Sequence, residues 1–317
     1  MVLNFSQLKI ENIMVFGGSG FLGARIVTKL IKYCNNLHIV VRKSSNLHRI
    51  QNICDKFELY NGDLTDSNFF TDLIEKIKPT LIFYTVGHGA YRQQSDREQI
   101  FRSNLLCTHN LLMATLSVPN CRIIYAGTSL EQGALNHPIK EEGITNPISC
   151  YGAMKTASTI IMMQAALYEK RRITILNPFA IYGIGEPLKR LIPTVIQAAI
   201  SGNELNLTQS GLVRDYVFVD DVVEAFLMAA ITNSSISEKI NIAGGRCVSN
   251  EQVVEIIEKL MNIRIKKNIG AYKPRATDTQ FWRADVSKAK QILGWQAKNT
   301  MEQGLKATIE WMQNNEK

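Results

Sequence analysis

The sequence predicts an α/β protein: a doubly wound parallel sheet with a smaller C-terminal α/β lobe. Three observations lead there. Short apolar runs alternate with helix-period segments from residue 13 to residue 178. The first run, Ile13-Met14-Val15-Phe16, is followed at once by the glycine-rich heptapeptide GGSGFLG at 17–23. After Pro178 the alternation gives way to an irregular stretch punctuated by Gly183, Gly185 and Pro187.

Taken in order, 13–16 reads as a buried strand and 20–33 as a helix with Phe21, Leu22, Ile26, Val27 and Leu30 on its apolar face. Strands follow at 37–41 and 57–63, a helix at 66–77, a strand at 80–87 and a long helix over 95–117. A strand at 121–127, a helix at 149–170 and a strand at 172–178 complete the alternation. Beyond it, 179–188 reads as a loop and 189–201 as a helix. Residues 213–221 read as a short strand entering a helix at 220–231, then come a strand at 239–245 and a helix at 249–261. The expected division is 1–178 plus 214–245 for the sheet domain and 179–213 plus 246–317 for the lobe. Trp282, Trp295 and Trp311 read as anchors of the lobe, and the Met162-Met163 pair as core.

Bulk properties narrow the class. The 317 residues are 45% hydrophobic and 20% charged, ordinary for a globular chain. No apolar run approaches the roughly 18 residues a membrane span needs. The first residues lack the basic-then-apolar pattern of a secretory signal. The six cysteines form no CxxC pair and no zinc-spaced cluster, which predicts reduced thiols, a cytoplasmic protein and no metal. The net charge of +8 is dispersed, and Lys170-Arg171-Arg172 and 264–267 are too short for a nucleic-acid arm. A phosphorylated small molecule suits the charge better.

Gly17, Gly20 and Gly23 give G-x-x-G-x-x-G, one residue longer in its first spacing than the usual dinucleotide fingerprint. The physics is shared: a tight turn leaves the strand, backbone approaches a diphosphate, and the helix beginning at Phe21 and Leu22 offers N–H donors. The end of the second strand tells NAD from NADP. Here it reads Val40-Val41-Arg42-Lys43-Ser44-Ser45, without a carboxylate. Arg42 can pair with a 2′-phosphate, so NADP(H) is favoured over NAD(H). The competing reading makes Arg42 and Lys43 solvated charges and lets NAD bind without the acidic contact. For Asp63, beside Leu64, two readings stay open: acceptor from adenine, or turn residue before the next helix.

Tyr151 and Lys155 are four residues apart and share a helix face. A neighbouring ammonium favours the phenolate and suits Tyr to proton exchange with an alcohol or carbonyl. Thr128-Ser129 follows the fifth strand, whose C-terminal end faces the ligand crevice in such a sheet, so a hydroxyl there can hold a substrate oxygen.

At this point the chain resembles a family: the extended short-chain dehydrogenase/reductases, in the NAD-dependent epimerase/dehydratase group that acts on nucleotide sugars. The resemblance spans nearly the whole chain. It rests on the glycines, Tyr151 and Lys155, Asn104, NPISCYGAMK (146–155), LNPFAIYG (176–183), RDYVFVDD (214–221) and DVSKAKQILGW (285–295). VGHGAYRQQSD (86–96) is similar to a segment of the 4-ketohexose reductases that make deoxyhexoses such as CDP-abequose. The resemblance implies a Rossmann domain. It implies Tyr151 as acid/base, Lys155 as the residue that orients the nicotinamide ribose and tunes Tyr151, and Thr128 as the hydroxyl on the reacting oxygen, with Ser129 beside it. Asn104 joins the cofactor residues, and Asn177 to Phe179 would flank the carboxamide. Arg214 and Arg275 would grip the substrate diphosphate. For Arg214 the competing reading is an ion pair with Asp215 or Asp220, and for Arg275 a surface charge. His88 and Tyr91 line the sugar pocket or pack their loop.

Departures from the family pattern matter. The 4,6-dehydratases carry Thr-Asp-Glu where this chain has Thr128-Ser129-Leu130, and Ser129 and Leu130 cannot perform the elimination. The epimerase-reductases carry a Cys where Leu130 stands. Asn177 replaces a frequent Arg and Ala180 a frequent Asn. The resulting expectation is NADPH-dependent reduction of the C4 keto group of a nucleotide-linked 4-keto-6-deoxyhexose. The alternative is an NAD-dependent nucleotide-sugar 4-epimerase. A homodimer through the helices at 95–117 and 149–170 follows from the resemblance alone.

Overall fold

The structure, a computed structural model, describes residues 5–6, 8, 11–91, 93–133, 135, 137–273 and 281–315. In chain order the strands are β1 (Asn12–Phe16), β2 (Asn36–Val41), β3 (Glu58–Asn61), β4 (Leu81–Tyr84), β5 (Arg122–Ala126) and β6 (Ile173–Pro178). There follow β7 (Ala180–Tyr182), β8 (Leu205–Leu207), β9 (Val213–Phe218), β10 (Lys239–Ile242), β11 (Cys247–Ser249) and β12 (Lys267–Ile269). The helices are α1 (Phe21–Leu30), α2 (Ser67–Ile77), α3 (Arg97–Phe101), α4 (Cys107–Ala114) and α5 (Cys150–Tyr168). The remaining helices are α6 (Leu191–Ser201), α7 (Val219–Ile231), α8 (Asn250–Met261) and α9 (Met301–Asn315).

Seven strands form one sheet in the order β10-β6-β5-β4-β1-β2-β3, every pairing parallel. Such a sheet is covered on both faces, which explains why β1 and β4 read as unbroken apolar runs. One face packs on α1 and α7, through Ile26, Val27, Leu30, Val222 and Phe226. The other packs on α2, α4 and α5, through Phe70, Ile74, Leu111, Met162 and Ala166. Strand order reverses between β1 and β4, and the crevice at such a reversal is where ligands of this architecture sit. The predicted fold class is the observed one.

Three local differences have physical causes. The long helix expected over 95–117 is broken at Arg102–Leu106 by a widened π turn, flanked by α3 and α4. Asn104 sits in that turn and donates its amide to Ile100 O (2.7 Å) and His88 O (2.7 Å), so the extra width accommodates a side chain in the ladder. Residues 180–182, expected in a loop, form β7, which pairs in parallel with β9; β11 closes this three-stranded sheet. Trp295 is no lobe anchor. It joins the cluster under α7 and donates to Asp221 O at 3.0 Å.

Around the small sheets, α6, α8 and α9 bury Val195, Ile196, Val254, Ile257, Leu305 and Ile309 against Tyr182 and Phe218. Phe21, the first residue of α1, enters this same cluster and ties the glycine loop to it. Among the described residues no helix is long and apolar enough to cross a membrane.

Candidate active site

The glycine loop is shaped by contact. Gly17 has φ +80°, and a Cβ there would come within 2.8 Å of Thr85 Oγ1. A Cβ on Gly23 would lie 2.2 Å from the Gly17 carbonyl oxygen. Both positions therefore exclude a side chain. Thr85, at the end of β4, donates to Phe16 O at 2.9 Å and forms the wall beside the loop. Gly20 caps α1 without a side-chain hydrogen bond, and Leu22 and Gly23 in the first turn have no helical acceptor of their own. A cradle without Cβ atoms at a helix N-terminus fits a dinucleotide diphosphate.

At the end of β2, Arg42, Lys43 and Ser44 are exposed, and Arg42 N donates to Ser45 Oγ at 3.1 Å in a tight turn. Burial holds the His88 imidazole below its ordinary pKa, and the nearby positive charge of Arg42 adds to this. Asp63 Oδ1 accepts from Thr65 N at 2.9 Å in a turn, while Asp66 is the cap of α2. Leu64 is buried, its carbonyl held by Asn110 Nδ2 at 2.9 Å.

Thr128, Ser129 and Tyr151 meet at the C-terminal end of β5. Thr128 is buried, caps the short turn Ser129–Glu131 by accepting from Leu130 N, and its hydroxyl lies near the Tyr151 phenol. Tyr151 lies in the first turn of α5, which Ser149 caps through Gly152 N at 3.0 Å. A Cβ on Gly87 would stand 3.9 Å from the Tyr151 hydroxyl and 3.7 Å from Asn104 Oδ1, which places the loop after β4 beside the phenol.

Lys155 lies one turn after Tyr151 in α5. Its ammonium is buried and donates to Tyr125 OH at 2.8 Å and Ala126 O at 2.6 Å. Desolvation holds the Tyr151 phenol well above its ordinary pKa; Thr128 opposes this, and Tyr125, Tyr91 and Glu131 reinforce it. The phenolate is therefore not favoured here. Helical spacing puts Lys155 on the same face as Tyr151, and its ammonium is engaged by the Ala126 carbonyl and the Tyr125 phenol.

Other candidate residues divide into two groups. Ser129 Oγ accepts from Trp282 Nε1 at 3.3 Å, and the Arg214 guanidinium lies 6.0 Å from the Trp282 ring centroid. Trp282 thus joins Ser129 to Arg214, a site role the sequence did not signal. Asp220 pairs with Arg25 at 2.6 Å, and Asp215 accepts from Gly245 N and Ala284 N, so these carboxylates are engaged elsewhere. Phe179 is buried with Trp282, Ile139 and Ala284. Asn177 is buried at the end of β6 with Oδ1 unpartnered, and a Cβ on Gly127 would lie 1.9 Å from it. Asn104 is buried and engaged by the His88 backbone on both its amide atoms, which assigns it to shaping the His88 loop. Tyr91 is half-buried near Tyr151. Arg275 lies outside the described residues. Among those residues no group of acidic, His and Cys side chains is arranged to hold a metal.

Glu131 was missed by the sequence reading. It is buried, accepts from Thr159 Oγ1 at 2.6 Å, and lies 3.5 Å from Lys239 Nζ. Its carboxylate is turned into the protein beneath α5, so the turn that carries Thr128 presents no acid to the crevice.

The reversal at β1 and β4, with the glycine cradle beside it and Thr128 and Tyr151 at the end of β5, defines a doubly wound α/β protein of the dinucleotide-binding kind. The chain belongs to the NAD dependent epimerase/dehydratase family, whose sequence pattern matches residues 13–243. It is 26% identical to a dTDP-glucose 4,6-dehydratase of Haemophilus influenzae over 95% of this chain and 97% of the relative. The crystal structure of the UDP-glucose 4-epimerase of Thermotoga maritima with UDP-glucose is similar at 25% identity and a TM-score of 0.89, covering 96% of this chain and all (100%) of that one. MoeE5 in complex with UDP-glucose and NAD is similar at 25% identity and a TM-score of 0.85, with 96% and 100% covered.

Proposed function

We propose that this chain is an NADPH-dependent reductase of the C4 keto group in a nucleotide-linked 4-keto-6-deoxyhexose. The observation that carries the reading is geometric: Thr128 and Tyr151 meet at the end of β5, beside Ser129 and Leu130, and burial keeps the phenol in the form that can deliver a proton. When bound, the nicotinamide supplies a hydride to the keto carbon. Tyr151 gives its proton to the oxygen, Thr128 donates a hydrogen bond to that oxygen, and Lys155 stabilises the phenolate left behind.

Two further features support reduction. Ser129 and Leu130 supply no acid or base for elimination, and Glu131 faces away. Arg42 and Lys43, with no carboxylate beside them at the end of β2, suit a 2′-phosphate. A second reading, an NAD-dependent 4-epimerase, is favoured by the likeness to the Thermotoga maritima epimerase and to MoeE5 with NAD, and by the exposure of Arg42. In both readings the glycine loop and Leu64 line the cofactor side, while Ser129, Tyr91, Arg214 and the lobe of 179–213 plus 246–317 take the nucleotide sugar. The exposed Phe101, Met113, Leu116, Ile160, Leu167 and Tyr168 on α3, α4, the turn after it and α5 suit a homodimer face.

The test follows NADPH and NADH oxidation over CDP-, dTDP-, GDP- and UDP-linked 4-keto-6-deoxysugars. Stoichiometric oxidation with NADPH preferred supports the reductase and names the nucleotide. Tightly retained NAD⁺, no net oxidation and interconversion of UDP-hexoses overturn it in favour of the epimerase.

A further inference from the structure

β2 and β4 flank β1 in the sheet, so the loops that follow them stand on either side of the glycine loop. Arg49 lies in the connection from β2 to β3, and Tyr91 follows β4; the two are close enough to interact electrostatically. Arg49 Nε donates to Gly185 O at 2.8 Å, in the loop between β7 and α6. Gly185, at φ +83°, lies between Arg49 and the first residue of α1. A Cβ there would be 3.6 Å from Arg49 Nε and 3.9 Å from the Phe21 ring. Three loops thus bring one half-buried guanidinium to the entrance of the cradle.

Among the described residues that cation has no carboxylate partner. Among the described residues Arg49 takes part in no ion pair, and its one hydrogen bond uses Nε alone, leaving four N–H donors on the fork. The adjacent carboxylate, Glu186, is turned to Arg190 Nε at 3.1 Å and to Gly183 N at 3.3 Å. Neither His48 nor Tyr91 is a carboxylate. A guanidinium that loses water without gaining an anion is unfavourable unless an anion arrives with a ligand.

We infer that Arg49 binds the diphosphate bridge of the dinucleotide, its free guanidinium edge completing the cradle begun by the backbone N–H groups of α1. The inference rests on the dinucleotide reading of the glycine loop. A guanidinium suits the task because it offers a phosphate two parallel donors. Its bond to Gly185 also makes β7–α6 part of the cofactor site, so the lobe and the diphosphate are linked through one side chain.

The experiment measures equilibrium binding of NADPH, NADH, ADP-ribose, adenosine 2′,5′-bisphosphate and UDP-glucose to the wild-type protein and to Arg49→Gln and Arg49→Lys, by fluorescence or calorimetry. Circular dichroism and thermal melting confirm that each variant is folded. The expected result is a rise of about ten- to a hundredfold in Kd for NADPH, NADH and ADP-ribose alike in Arg49→Gln. Arg49→Lys recovers part of it, and the salt dependence of NADH binding is shallower in Arg49→Gln than in wild type. Adenosine 2′,5′-bisphosphate and UDP-glucose bind as before. Loss confined to NADPH and the bisphosphate makes Arg49 a 2′-phosphate residue and overturns the inference. Loss confined to UDP-glucose moves it to the substrate, with the same consequence. Unchanged binding throughout overturns it while leaving the dinucleotide reading intact. Failure of the wild-type protein to bind any of the three dinucleotide ligands overturns both.

Discussion

Glu186 offers a direct test of how burial in the β7–α6 loop shapes the stability of the protein. Its side chain is 3% exposed, bonded to Arg190 and to Gly183 N. Burial raises its pKa from 4.5 to about 7, with Arg190 and the Gly183 N–H opposing. Because the folded pKa is the higher one, the native state holds a proton that the unfolded chain releases between these values. The associated stability is fully present below pH 4.5 and is lost as pH rises to about 7. At roughly 1.4 kcal/mol per pH unit this amounts to about 3 kcal/mol. Glu186→Gln has no proton to lose and keeps an acceptor for Gly183 N. Urea unfolding of both proteins at pH 5, 6, 7 and 8 should show the stability difference moving in favour of Gln by about 3 kcal/mol across the range. A difference that stays constant with pH, or moves toward Glu as pH rises, would falsify the argument.

Other substitutions probe the site. Gly23→Ala should abolish dinucleotide binding and lower the melting temperature, since its Cβ meets the Gly17 carbonyl at 2.2 Å; a variant that binds NADH normally refutes the tight-cradle account. Tyr151→Phe should lower kcat by about 10²- to 10⁴-fold with cofactor affinity unchanged, and surviving turnover removes Tyr151 from its role. Glu131→Gln takes away a charge that raises the Tyr151 pKa, so the limb of the pH–rate profile due to Tyr151 should move to lower pH; a limb that stays put or rises counts against the coupling. Arg42→Ala should weaken NADPH about tenfold or more and spare NADH, and equal weakening of both contradicts its assignment to the 2′-phosphate.

Much of the fold was legible because its signals are local. Ile13 to Phe16 announce a strand buried on two faces, and the glycines after them have a spacing only a tight turn satisfies. The i, i+4 relation of Tyr151 and Lys155 needs nothing but the helix period. The three-residue β7 was illegible because it is too short for alternation to register, and β9 pairs with it across more than thirty residues of chain. The π turn at Asn104 was hidden because it depends on the His88 backbone, sixteen positions away in sequence.

By itself the sequence determined the parallel α/β sheet, the place of the glycine cradle and the helix face that carries Tyr151 and Lys155. These follow from periodicity and from the steric demands of residues adjacent in the chain. Tertiary structure alone decided where the charges point. It turned Lys155 to Tyr125 and Ala126, Glu131 to Thr159, and Arg49 to Gly185, and it set Trp282 against Ser129. A buried charge or polar group must find its partner wherever packing brings one, and packing joins residues that sequence separation keeps apart.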